Sequence, residues 1–147
     1  MQYVEAQLTD IPQLCGLLEQ LFAQEVEFTP DVKTQTKALQ EILSDSKLGK
    51  IFVAKENIKV VAMVNILFSI STALGTRVGI LEDMVVDADY RGAGIGTKLI
   101  EFALKSAKEE GCKRVTLLTD VDNLQAHKFY MDEGFSKSSM IPFRKLL

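Results

Sequence analysis

His127 is the only histidine in this 147-residue chain, and Cys15 and Cys112 are its only cysteines. That scarcity excludes a histidine-rich metal centre, and the two thiols have no partner spacing for zinc, so no metal is expected. No export signal is visible ahead of the first patterned residues, so both thiols are expected to be free and the protein cytoplasmic. The longest apolar stretch, residues 60–70, is too short to cross a bilayer and is interrupted by Asn65. No basic stripe stands out among the 17 lysines and arginines, which 20 acids outnumber to leave a net charge of −3. Neither nucleic acid nor membrane is therefore expected as a partner, and cationic partners are mildly favoured. His127 falls on a polar helix face, where solvent is its expected neighbour.

The composition that is present is ordinary for a globular protein: 47% hydrophobic and 25% charged, in a length suited to one domain over residues 1–147. Alternation predicts a strand over residues 3–8. Thr9 can then cap a helix that carries Pro12 in its first turn, with Leu14, Leu18, Leu21 and Phe22 at helical spacing. Beyond the polar residues 25–31, Leu39, Ile42 and Leu43 predict a weaker helix that Gly49 ends. Residues 50–55 and 59–70 read as a hairpin turning at Glu56-Asn57, and residues 77–86 return antiparallel after a turn near 71–76. Leu99, Ala103 and Ala107 mark a further helix closed by Gly111. Residues 115–119 form a β-branched strand whose position after a helix implies a parallel crossover. Asp122 or Asn123 can cap a last helix carrying Phe129 and Tyr130, and residues 136–147 are expected to supply one or two closing strands. The fold class is thus α/β with a mixed sheet, mostly antiparallel and flanked by about four helices.

Within this order, residues 82–102 carry the chemistry. An apolar strand end passes through Arg91-Gly92-Ala93-Gly94-Ile95-Gly96-Thr97 directly into the amphipathic helix. A turn of that kind leaves several backbone N–H groups unpaired and facing one point, and the helix dipole adds positive potential there. Glycine lets a bulky diphosphate approach the backbone. A P-loop fails, because Gly96 is followed by Thr97 rather than lysine, and the dinucleotide fingerprint fails because its last glycine position holds Thr97.

What remains is Arg-x-x-Gly-x-Gly at Arg91, Gly94 and Gly96. About 30 residues downstream stands Asn-x-x-Ala-x-x-Phe-Tyr-x-x-x-Gly-Phe, from Asn123 through Phe129 and Tyr130 to Phe135. Together, in this order, the two resemble motifs A and B of the GNAT superfamily of N-acetyltransferases. The resemblance covers about residues 51–143, and the first 50 residues match in pattern only. It implies a sheet whose fourth and fifth strands splay apart to admit the pantetheine arm of acetyl-CoA. By motif position, the backbone of Gly92, Ala93, Gly94, Ile95, Gly96 and Thr97 would hold the pyrophosphate, and Arg91, which opens the motif, would either contact a phosphate or serve as a surface salt-bridge arginine. Met84, Val85 and Val86 would pair with pantetheine amides and present an N–H to the thioester oxygen. Asn123 would bond the pantetheine arm, although a helix cap serves as well. Two departures are modest: Ala88 stands where many relatives have proline, and Arg91 where glutamine is common.

Acetyl transfer needs a deprotonated amine, so the resemblance points to Glu82 as base or amine anchor, with Asp83 second. Being adjacent on a strand, they face opposite sides unless a bulge intervenes. Tyr130 matches the family tyrosine that donates to the departing thiolate; a core aromatic is the alternative. The expected function is transfer from acetyl-CoA to the primary amine of a small molecule by direct attack in a ternary complex. A protein lysine or N-terminal acetyltransferase and a non-catalytic acyl-CoA-binding module stay open, as does a homodimer. Glu25, Glu27, Asp31, Glu82 and Asp83 lie toward the predicted acceptor side and favour an acceptor with positive charge beyond its reacting amine.

Overall fold

The structure is a computed structural model that describes residues 1–25 and 27–147. Nine principal elements follow one another: β1 (Gln2–Glu5), α1 (Ile11–Gln24), α2 (Val32–Ser44), β2 (Gly49–Glu56), β3 (Lys59–Ser71), β4 (Thr76–Val86), α3 (Ile95–Glu109), β5 (Val115–Leu117) and α4 (Leu124–Asp132). The five strands lie side by side in chain order. The β1–β2, β2–β3 and β3–β4 pairs are antiparallel, while β4 and β5 are parallel across the α3 crossover.

Period-two alternation gives this sheet two apolar faces, and each is covered. Val53, Met63 and Val85 meet Leu14, Leu17 and Leu18 of α1 and Leu39 of α2 on one side. On the other, Phe52, Val64 and Leu81 meet Leu99, Ile100 and Ala103 of α3. The aromatic residues of α4, Phe129 and Tyr130, pack against this second layer. Phe102 extends it by meeting Phe52 edge-on, with ring centroids 5.6 Å apart.

Several sequence expectations are corrected. The first strand stops at Glu5, because residues 8–10 turn into a 3₁₀ segment held by Asp10, whose Oδ2 accepts from Gln7 N–H at 2.9 Å. Asp10, not Thr9, therefore organises the entry to α1. Gly49 does not end a helix but begins β2, where a Cβ would lie 2.5 Å from the Ile66 carbonyl oxygen; only glycine permits that approach. The fifth strand covers three residues rather than five. No strand forms over 136–147, where Met140, Ile141 and Phe143 stay exposed. Pro142 has no N–H to give a ladder there, and β5 offers only three residues to pair with.

Asp10 is a buried charge, 5% exposed, and the Lys55 ammonium reaches its Oδ1 at 2.7 Å. Removing one partner leaves the other charge poorly compensated, a loss of about 3 kcal/mol for buried pairs. Asp10→Ala should lower the unfolding free energy by about that amount in urea titration. Loss of less than about 0.5 kcal/mol would show that Lys55 escapes to solvent without penalty.

Candidate active site

β4 is eleven residues long but pairs with β5 only through Gly79, Ile80 and Leu81. From Glu82 onward its β5-facing edge is released, and the two strands part. The cause is local: in the β3–β4 ladder Leu81 pairs with Ile66 and Asp83 with Asn65, so Glu82 is an extra residue without a partner. This bulge also re-aims the strand. In a regular strand Leu81 and Asp83 would share a face, yet Leu81 packs with α3 while Asp83 falls in phase with Val85, which packs with α1.

The opening leads to the glycine-rich turn. Gly92 and Gly94 have φ of +80° and +75°, a region that costs other L-residues roughly 1–2 kcal/mol. Gly94 is the N-cap of α3 and offers no capping side chain; the Lys98 N–H is the first to bond back, to the Gly94 carbonyl at 3.2 Å. The N–H groups of Ile95, Gly96 and Thr97 are thus left for a ligand. Gly96 has ordinary φ, but a Cβ there would touch Val86, Met84 and Phe129 at 3.4–3.6 Å. Its missing side chain keeps open the floor between β4, α3 and α4.

These features enclose a cleft of about 460 Å³. Every residue expected from the sequence to hold the cofactor lines it except Ala93. Leu21 and Gln24 of α1 and Tyr130 of α4 complete its walls. Arg91 is fixed by donating its Nε–H to the Val86 carbonyl at 3.0 Å, which ties the loop to the strand end. Asn123 accepts from Ala126 N–H at 3.1 Å, so its oxygen caps α4, while its amide donors are free to reach a ligand. His127 is half-buried rather than in solvent, with Nε2 2.9 Å from the Asp120 carbonyl oxygen, because it ties α4 to the turn after β5.

The two carboxylates expected to act on the amine sit beside the cleft, not in its lining. Glu82 is exposed on the bulge, and Asp83 is half-buried. Burial raises the Asp83 carboxyl above the ordinary range; the Asn65 amide, donating to Asp83 Oδ2 at 3.1 Å, partly opposes this, and the Glu82 charge adds to it. Two further acids adjoin the pair, of which the sequence singled out Glu25 and passed over Asp120. Glu25, at the end of α1, is raised by burial and then by the charges of Asp83, Asp120 and Glu82. Asp120 follows β5, and nothing in its local sequence points to this cluster. Glu27 and Asp31, also expected here, are engaged elsewhere: Glu27 pairs with Arg144, and Asp31 caps α2 through the N–H groups of Lys33 and Thr34.

Burial, reinforced by the Glu25 charge, pushes the Tyr130 hydroxyl up to about 12, so it is protonated at neutral pH. Its ring is held edge-on between Phe129 and Phe135, at 5.2 and 5.7 Å. A protonated donor on a rigid ring, an open strand edge and a cradle of N–H groups thus share one cleft. The raised Glu25 and Asp83 carboxyls bind protons more readily in the folded chain than in the unfolded one. They therefore cost stability at neutral pH, a cost relieved as pH falls through their raised values.

A parallel strand pair that parts beside a glycine-rich helix start defines a mixed α/β fold with its cleft at the parting. The sequence profile of the acetyltransferase (GNAT) family matches residues 16–135, and the chain belongs to that family of enzymes. It is 31% identical over 94 residues to the aminoalkylphosphonate N-acetyltransferase of Salmonella typhimurium, covering 64% of this chain and 60% of that protein. It is 38% identical over 64 residues to the glucosamine 6-phosphate N-acetyltransferase of Arabidopsis thaliana, covering 44% of this chain and 41% of that one. Each match thus spans less than two thirds of the curated relative. An integron cassette protein from the mobile metagenome of Cole Harbour Salt Marsh superposes with a TM-score of 0.86 at 22% identity, covering 99% of this chain and 90% of its own. Among the described residues no helix is long and apolar enough to cross a membrane, and no group of three or more His, Cys, Asp or Glu could hold a metal ion.

Proposed function

We propose that this protein transfers the acetyl group of acetyl-CoA to the primary amine of a small molecule. The observation that carries the reading is the parting of β4 from β5 at Glu82, opening directly onto the N–H cradle of residues 92–97. The donor supplies an activated acetyl thioester. Unpaired N–H groups at Ile95, Gly96 and Thr97 fit its pyrophosphate, and the free edge of Met84, Val85 and Val86 fits its pantetheine amides. An N–H on that edge is also suited to the thioester oxygen, where negative charge develops.

The amine arrives as an ammonium ion and must lose a proton before it can attack. Asp83 is the better base of the two carboxylates, because its raised carboxyl is a stronger proton acceptor than an ordinary exposed one. Glu82, out on the bulge, is better placed to guide the amine in. As the C–N bond forms and the C–S bond breaks, the amine proton passes to the carboxylate and the Tyr130 hydroxyl donates to the departing sulfur. Its value of about 12 lies well above that of a free thiol, about 8.5, so Tyr130 acts chiefly as a hydrogen-bond donor to the thiolate.

Thiol release from acetyl-CoA, measured against a panel of polyamines, amino acids, amino sugars and peptides, tests the reading. Amine-dependent thiol release with a matching acetylated product is expected. Tight CoA binding without transfer to any amine would instead favour a binding module. The cofactor site has its own test in Gly96→Val, whose extra methyls would fill the cleft floor against Val86, Met84 and Phe129. CoA affinity should fall at least about tenfold, a cost of about 1.4 kcal/mol. An unchanged affinity in the folded variant would move the cofactor elsewhere. Gly94→Val is the poorer probe, because φ of +75° strains any side chain there regardless of the ligand.

A further inference from the structure

The cradle of residues 92–97 has little of its own to hold it. Gly92 and Gly94 take positive φ, no side chain caps the start of α3, and among the described residues the backbone of 91–93 makes no hydrogen bond. Residues 87–90, just ahead of it, are tied to α1 and to the β2–β3 hairpin. The Ala88 N–H donates to Oε1 of Gln20 on α1 at 3.1 Å. The Lys59 ammonium, at the start of β3, lies 3.4 Å from Oδ2 of Asp87. The Tyr90 hydroxyl donates to Oε2 of Glu56, the last residue of β2, at 2.8 Å. The same Lys59 ammonium stands over the Tyr90 ring, 4.6 Å from its centre.

The hairpin that holds Tyr90 is itself anchored. Gln13 of α1 donates from Nε2 to the Ile58 carbonyl at 3.1 Å and accepts from the Val60 N–H at 2.8 Å. Glu56 and Lys59 pair across the turn, so both groups that grip Tyr90 rise from one fixed point. Tyr90 in turn is half-buried and lines the cleft beside Arg91 and Gly92. By charge alone Glu56 works against a cleft that takes a polyanion, since a carboxylate behind its wall repels phosphate. Only through the hydroxyl it holds can it favour such a ligand.

We propose that Tyr90 is a positioning residue for the cofactor: Glu56 fixes its hydroxyl, Lys59 its ring, and Tyr90 sets the glycines that follow at a constant distance from the β4 edge. The inference rests on the acetyl-CoA reading above and deepens it. The pyrophosphate and the pantetheine arm belong to one molecule, so both are bound at full strength only when cradle and strand edge keep one spacing. A cradle free to swing gives up part of the affinity as ordering entropy. Because β2, β3 and β4 are neighbours in the sheet, the Glu56 contact ties the cradle to the same sheet that carries Met84, Val85 and Val86.

The test is CoA binding by calorimetry to the parent, Tyr90→Phe, Glu56→Ala, Glu56→Gln and the double variant of Tyr90→Phe with Glu56→Ala, with melting temperatures alongside. Tyr90→Phe and Glu56→Ala should each weaken CoA binding about fivefold, the size expected for one hydrogen bond. The double variant should bind no more weakly than Tyr90→Phe alone, because both changes remove the same bond. Glu56→Gln keeps an acceptor and loses the repelling charge, so it should bind CoA at least as tightly as the parent. The bond is exposed, and melting temperatures should stay nearly constant throughout. CoA affinity within about twofold of the parent in both Tyr90→Phe and Glu56→Ala would overturn the inference while leaving the acetyltransferase reading intact. Tighter binding in both Glu56→Ala and Glu56→Gln would reduce Glu56 to a surface charge and overturn it too. Equal weakening in those two, or losses that add in the double variant, would overturn the hydrogen bond as the cause. Weaker binding that tracks a fall in melting temperature would make the contact merely structural, again overturning the inference. Failure of the folded parent to bind CoA would overturn the functional reading and this inference with it.

Discussion

Tyr130→Phe should slow acetyl transfer about 10²-fold while CoA affinity and thermal stability change little. The ring is what packs: it meets Phe129 and Phe135 edge-on, and phenylalanine keeps both contacts. Among the described residues the hydroxyl has no hydrogen-bond partner of its own, so removing it leaves no buried group unsatisfied. Its loss is felt only when charge develops on the departing sulfur. The expected effect lies at the lower end of the general-acid range of about 10²- to 10⁴-fold. A hydroxyl raised to about 12 by burial and by Glu25 lends a hydrogen bond more readily than it surrenders a proton. Single-turnover rates measured beside CoA affinity separate chemistry from binding. A rate within about threefold of the parent would make Tyr130 a packing residue.

Asp83→Asn should cost about as much, again about 10²-fold, but with a different signature in pH. The parent enzyme needs the ionised carboxylate. Because burial raises the Asp83 carboxyl, activity should fall on the acid side at a pH above the ordinary carboxylate range. The variant should lose that limb and become flat there. Glu82→Gln, on the exposed bulge, should keep the limb and lose only a few-fold in rate. If instead Glu82→Gln flattens the profile and Asp83→Asn does not, the two residues exchange roles. The stability of Asp83→Asn at neutral pH should not fall, since the replaced charge is one the fold holds at a cost.

The order of these two carboxylates shows what a sequence can and cannot reveal. Both were legible as candidates, because adjacent acids just before an apolar strand end and a glycine-rich turn are local features. Their difference in exposure was not. It depends on the bulge at Glu82, which arises from how β4 fits against β3, and no residue within β4 announces it. Glu25 and Asp120 were harder still. Glu25 stood out only as one of five acids toward the acceptor side, and Asp120 not at all, because what matters about them is proximity to residues nearly 60 and 40 positions away in the chain. Asn65 looked like nothing more than an interruption in an apolar run. Its meaning lies in the cross-strand pairing that sets it opposite Asp83.

Errors at the ends of elements have the same origin. Residues 136–147 carry apolar side chains at strand-like spacing, but a strand needs a partner edge, and β5 is too short to provide one. Gly49 has the local character of a helix stop, yet its place is decided by the Ile66 carbonyl of the neighbouring strand. By itself the sequence determined the elements whose cause is local: the apolar periodicity of α1 and α3, the β2–β3 hairpin, though its two-residue turn is Asn57-Ile58 rather than Glu56-Asn57, the glycines that must take positive φ before α3, and the Asn123 cap of α4. It also determined the family, since both motifs are short and contiguous. Only the tertiary structure decided where β4 leaves β5, which carboxylate faces α1, and that the Glu25 charge reaches Tyr130. Each of these depends on register and on charges brought together through space, and a linear pattern of residue types encodes neither.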